Sequence, residues 1–155
     1  MMDIKKLANQ FRNAIDQARD VGEFDKDFSF YKFPRGCCGD ASDLLAQYLL
    51  DNDIRTYYVC GTYSNGSFES VQSHAWLLTD DQIIIDISGD QFRSNSEFLN
   101  YDRTVYIGTE DKFHGLFKVE DRDVRENMGL DALGDMCQSR LIELYSKIVK
   151  YISEF

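Results

Sequence analysis

The chain has 155 residues, 43% of them apolar, with 11 Phe, 9 Tyr and a single Pro. That is enough apolar surface for one packed domain, and it argues against a disordered chain or a Pro-rich linker. Its 27 acids against 17 bases leave a formal charge of −10, which argues against tracking along nucleic acid or docking on an anionic membrane.

Ile4, Leu7, Ala8, Phe11, Ala14, Ile15 and Ala18 recur at three and four, so residues 3–20 are expected as an amphipathic helix stopped by Gly22. Residues 23–36 have no period; Phe24, Phe28, Phe30, Tyr31 and Phe33 predict an irregular segment pinned by rings and offer a surface for association. Residues 38–51 predict a second helix, with Ala41, Leu44, Leu45, Tyr48 and Leu49 on one face. Strands are expected at Ile54–Tyr63, at 73–79 and 82–88 around Asp80-Asp81, at Thr104–Gly108 and near Leu116–Val119, with a turn at Ser64–Ser67. Residues 131–153 predict a closing helix whose stripe is Cys137, Leu141, Leu144, Tyr145, Ile148, Tyr151 and Ile152. Helices and strands are segregated, so the expected class is α+β, with an antiparallel sheet of about four or five strands. The chain is expected to be one domain, 1–155, with its core roughly at 33–119.

No N-terminal segment reads as a signal peptide, and no apolar run approaches the roughly 20 residues of a membrane span. Cys37, Cys38, Cys60 and Cys137 show no secreted disulfide spacing, so a reducing, cytoplasmic setting is expected; an effector delivered without a cleaved leader would have the same features.

Three segments carry chemistry. In Gly36-Cys37-Cys38-Gly39-Asp40-Ala41-Ser42 a cysteine sits where a loop enters a helix, and the unpaired N–H groups there favour a thiolate and can hold an oxyanion. In Ser73-His74-Ala75-Trp76 a histidine opens an apolar strand. In Ile83-Ile84-Ile85-Asp86-Ile87 an acid lies inside an aliphatic strand, where it needs a partner. Cys38, His74 and Asp86 thus form a possible nucleophile, base and orienting acid. If the last two strands form a hairpin, an odd loop such as Thr79–Asp81 pairs His74 with Asp86, whereas a two-residue turn at Asp80-Asp81 puts them on opposite faces.

These segments resemble the transglutaminase-like core of the papain-like cysteine protease superfamily, across roughly residues 33–92. The resemblance implies a Cys–His–Asp site at Cys38, His74 and Asp86, with Cys37 as an alternative nucleophile and Asp90 as an alternative orienting acid. It implies attack on an amide through a thioester, giving a peptidase, a glutamine deamidase or a transglutaminase-like enzyme acting on a protein or peptide. The alternatives are an inactive peptide-binding module on the same fold and a delivered deamidase effector.

Tyr31, Gly36, Gly39, Trp76 and Gln91 are candidates for the cleft or the oxyanion site. Asp40 and Asp43 read as helix-dipole charges, His114 as a loop residue, and Cys60 and Cys137 as buried thiols. No cofactor is expected, and no metal, because adjacent cysteines do not easily place both sulfurs on one ion. The acidic surface would suit a basic substrate.

Overall fold

The computed structural model describes residues 3–66 and 71–152. Helix α1 spans Ile4–Asp20 and is capped by Asp3, whose carboxylate accepts the Lys5 N–H at 2.9 Å. Its stripe of Leu7, Phe11, Ala14, Ile15 and Ala18 is fully buried. Gly22, at φ +86°, then turns the chain through a conformation that side chains disfavour. Helix α2 spans Cys38–Asp51 and buries Ala41, Leu44, Leu45 and Leu49. Helix α3 spans Asp135–Val149 and adds Leu141, Leu144 and Ile148 to the same core.

Five strands form one antiparallel sheet in the order β4-β3-β2-β1-β5. They are β1 (Tyr57–Tyr63), β2 (Gln72–Leu78), β3 (Ile84–Asp86), β4 (Tyr106–Gly108) and β5 (Val124–Glu126). The architecture is α+β, with helices flanking an antiparallel sheet. Alternation along the strands gives the sheet two faces. Leu77 and Ile85 pack into the core shared with the helices. Val59, Trp76 and Ile84 face the other way, under Phe92, Phe98, Phe113 and Phe117.

The β2–β3 hairpin decides where the chemistry lies. Leu77 pairs with Ile85 and Leu78 with Ile84, and the Thr79 N–H donates to the Ile83 carbonyl. The loop is therefore Asp80–Gln82, with Gln82 at φ +65°. Its odd length keeps His74 and Asp86 on one face, as the parity argument requires. The register differs from a Thr79–Asp81 loop by two residues, so the pair is diagonal and not directly opposed.

Other expectations are corrected. The fifth strand is Val124–Glu126, paired with β1; the segment near Leu116–Val119 gives only a bridge from Lys118 to Thr62. The polar Val-Arg-Glu sequence carries little strand signal, and pairing with β1 overrides it. Helix α3 starts at Asp135, and Cys137 near its start is exposed, not buried; Cys60 is half-buried. In the aromatic segment Phe24, Phe30 and Phe33 are core, while Phe28 and Tyr31 are exposed. Ser67 of the expected turn and residue 153 of the expected helix lie outside the described residues.

No helix of the described residues is long and apolar enough to cross a membrane. Ile15 is fully buried, so Ile15→Val should cost about 0.5–1.5 kcal/mol in urea unfolding. A stability change below the error of the fit would show that this part of the core is loosely packed.

Candidate functional site

His74 and Asp86 sit beneath the aromatic face of the sheet, with side chains 0% and 1% exposed. His74 Nε2 lies 2.7 Å from Asp86 Oδ2, and His114 Nε2 meets the same oxygen, also at 2.7 Å. The other carboxylate oxygen, Oδ1, accepts the Ser88 N–H at 2.9 Å. His114 is fully buried, and its Nδ1 faces Asp111 Oδ1 at 2.6 Å. Each of its two ring nitrogens thus faces a carboxylate oxygen. Asp111 is fixed in turn by the Tyr101 hydroxyl, which donates at 3.1 Å.

Aromatic packing keeps water from this network. Trp76 meets His114 edge-on at 4.9 Å, Tyr101 stacks on Phe113 at 3.9 Å, and Phe92 meets His74 edge-on at 5.3 Å. Gly89 is needed here, because a Cβ would come within 2.7 Å of the Tyr101 ring and 3.3 Å of Asp86 Oδ2.

Asp86 takes up Nε2 of His74, leaving Nδ1 for other contacts. Gln91 Nε2 lies 3.2 Å from Nδ1 and also donates to the Ser88 carbonyl at 3.2 Å. Its Oε1 accepts the Gly36 N–H at 3.4 Å. Cys38 is the first residue of α2 and partly exposed, and His74 and the Ala75 backbone N–H act on its thiol. Burial alone would raise the Cys38 pKa; the His74 hydrogen bond and charge, with the Ala75 N–H, outweigh it and bring the thiol below its ordinary value. Burial alone would lower the His74 pKa; the charge and hydrogen bond of Asp86, joined by Cys38, outweigh it and raise the ring to about 10. Asp86 is itself driven well below the usual carboxylate range, since the two histidines overcome the penalty of its burial.

No family model, no curated protein and no solved structure matches the chain.

The expected Cys–His–Asp triad is corrected to a His–Asp–His cluster. The donor atoms of His74, Asp86 and His114 all lie within 4.8 Å of one another, and no cysteine belongs to that group. A triad reserves its carboxylate for one imidazole. Here the carboxylate is divided between two. The cysteine hydrolase or acyltransferase inferred from a triad does not stand on this geometry. Its thioester route to a thiol protease, a glutamine deamidase or a transglutaminase-like activity falls with it, as does membership of the transglutaminase-like and papain-like superfamily.

The remaining candidates are distributed as follows. Cys37 is buried, bonded to the Ser29 and Arg35 carbonyls, and pushed up to about 11 by burial, so it is a core thiol. Asp90 does not orient His74; Arg12 holds it through two bonds of 2.7 and 2.9 Å. Tyr31 is 55% exposed and stands away from the cluster, on a groove beside Gln91. Gly39 packs against Tyr58, where a Cβ would meet the hydroxyl at 3.1 Å. Trp76, offered as a cleft residue, is 3% exposed and packs in the aromatic core. His114 and Asp111 were missed as site residues. Their only sequence signal is the spacing of three in Asp-Lys-Phe-His, which places both on one turn.

Proposed function

We propose that this site is an acid–base centre in which His74 exchanges a proton with a bound ligand, while Asp86 and His114 hold the ring. The observation that carries the reading is the pair of 2.7 Å contacts from two buried imidazoles to one carboxylate oxygen. That arrangement fixes the His74 ring with Nε2–H toward Asp86, so proton traffic is confined to Nδ1. In one state Nδ1 is neutral and accepts from Gln91. In the other it carries the proton that is passed to or taken from the ligand.

A divalent cation on the same three atoms is less well supported. A tetrahedral ion with ligands near 2.0–2.1 Å separates those ligands by about 3.4 Å. The two 2.7 Å separations match shared protons.

The ligand we propose is a small molecule or peptide and not nucleic acid, given the net charge of −10. Four free cysteines support a reducing, cytoplasmic setting, and two apolar clusters on one sheet support a single domain.

Alkylation by iodoacetamide, followed cysteine by cysteine across pH, tests the reading. Cys38 should react with an apparent pKa below the roughly 8.5 of a free thiol, and His74→Ala should move that value upward by about one unit or more. Cys37 serves as the internal control, since it is pushed up to about 11. A Cys38 profile at or above the free-thiol value, unmoved by His74→Ala, would remove the acid–base reading.

A further inference from the structure

A groove of about 760 Å³ opens on the far side of Gln91 from His74. Its walls carry Arg12, Arg19, Lys32, Arg35 and Arg93 against only Asp16 and Asp90. In a chain of net charge −10 this is a local reversal of sign.

The pairing shows which of these charges are available. Arg12 is buried on Asp90 and Asp16. Arg19 is spent on Asp16 and Asp20. Arg93 shares Asp90, at 3.3 Å. Lys32 and Arg35 are exposed and, among the described residues, make no ion pair. They flank the Phe33-Pro34 wall of the groove, and the next residue, Gly36, sits at φ +69° with its N–H on Gln91 Oε1. Gln91 therefore belongs to both places: one end of its amide lines the groove mouth and the other touches Nδ1 of His74, at 3.2 Å.

We propose that this groove binds the anionic group, a phosphate or a carboxylate, of a small ligand whose other end reaches Gln91, the residue that touches His74. The inference rests on the acid–base reading for what happens at His74, but not for the binding itself. Lys32 and Arg35 supply the charge, and Tyr31 and Pro34 the apolar wall. The size suits a small molecule; pockets for such ligands run from roughly 300 to 1,000 Å³. The ligand's charge is thus opposite to that of the basic substrate which the overall composition favours, because the local field and not the net charge meets a bound group.

The test is titration of the full chain, by calorimetry at low salt, with inorganic pyrophosphate and separately with citrate. Saturable binding of either probe at millimolar concentration or tighter is expected. The stronger of the two identifies phosphate or carboxylate as the recognised group. The double variant Lys32→Gln, Arg35→Gln should weaken binding about tenfold or more, as expected for two lost charge-assisted contacts. Both side chains are exposed, so this variant is expected to keep the wild-type circular dichroism spectrum. Binding should persist in His74→Ala, which separates this inference from the thiol titration above. No binding of either probe, or equal binding by the wild type and the double variant, overturns the proposal.

Discussion

Asp86→Asn is expected to destabilise the protein by about 3–5 kcal/mol, the range for breaking one side of a buried charged network. Three donors converge on this carboxylate: the Ser88 N–H on Oδ1 and two imidazole nitrogens on Oδ2. An asparagine offers one accepting oxygen and turns an NH2 group toward whichever donors are left. It also leaves His114 facing one carboxylate, that of Asp111, among the described residues. The pH dependence of stability gives a second readout. Asp86 is held below its usual range, so its contribution is full above its unfolded value of about 4 and declines as the pH falls below that. His74 is raised to about 10, so its contribution is full below its unfolded value of about 6.5 and is lost between there and about 10. In the wild type, this network should therefore stabilise most between about pH 4 and 6.5. Urea unfolding from pH 4 to 10 should show the wild-type advantage shrinking at alkaline pH, while Asp86→Asn changes little there. Parallel curves for the two proteins would mean that the cluster does not couple folding to proton binding. In the same variant the Cys38 thiol should titrate higher, because His74 loses the charge that raises it.

Much of this was legible in the sequence where local pattern sets local structure. The stripe from Leu7 to Ala18 has one helical solution, and Cys38 opens α2 where the Gly36 to Gly39 segment ends. Parity reduced the placement of His74 and Asp86 to two loop lengths, and the observed Asp80–Gln82 loop is the odd one that puts them on one face. Partners from distant loops were not legible. His114 lies 28 residues from Asp86, in a short turn with no period. A lone histidine between Phe113 and Gly115 has no pattern to announce burial. Only packing under Trp76 and Tyr106 brings it there. The error about the site followed from this. A histidine read as loop left Asp86 with one partner, and a carboxylate with one imidazole and a cysteine nearby resembles a triad. The second imidazole changes the electrostatics and so the chemistry. Arg12 was hidden in another way, since a basic residue on the predicted helix reads as solvated until its acceptors are seen.

Arg12→Ala is the other substitution expected to cost about 3–5 kcal/mol, again because it strands a buried charge. Arg12 is 4% exposed, and its guanidinium holds six acceptor oxygens on four residues. It bonds Asp90 at 2.7 and 2.9 Å, Asp16 at 3.1 Å, the Ile87 carbonyl at 2.8 Å and the Thr104 carbonyl at 3.2 Å. Burial alone would lower its pKa, and Asp90 and Asp16 more than offset that. Removing it leaves Asp90, itself 2% exposed, with only the 3.3 Å contact to Arg93. Asp90→Asn should cost less, since the guanidinium keeps Asp16 and two carbonyls. The double variant should cost less than the sum of the singles, with a coupling of at least about 1 kcal/mol. The segment Gly89–Phe92 hangs on this pair and carries Gln91, so the loss should reach the site as well. Cys38 alkylation in folded Arg12→Ala should shift measurably from wild type, although the two residues are not in contact. If Arg12→Ala unfolds within about 1 kcal/mol of wild type and leaves Cys38 unchanged, the pair is not what anchors α1 to the site.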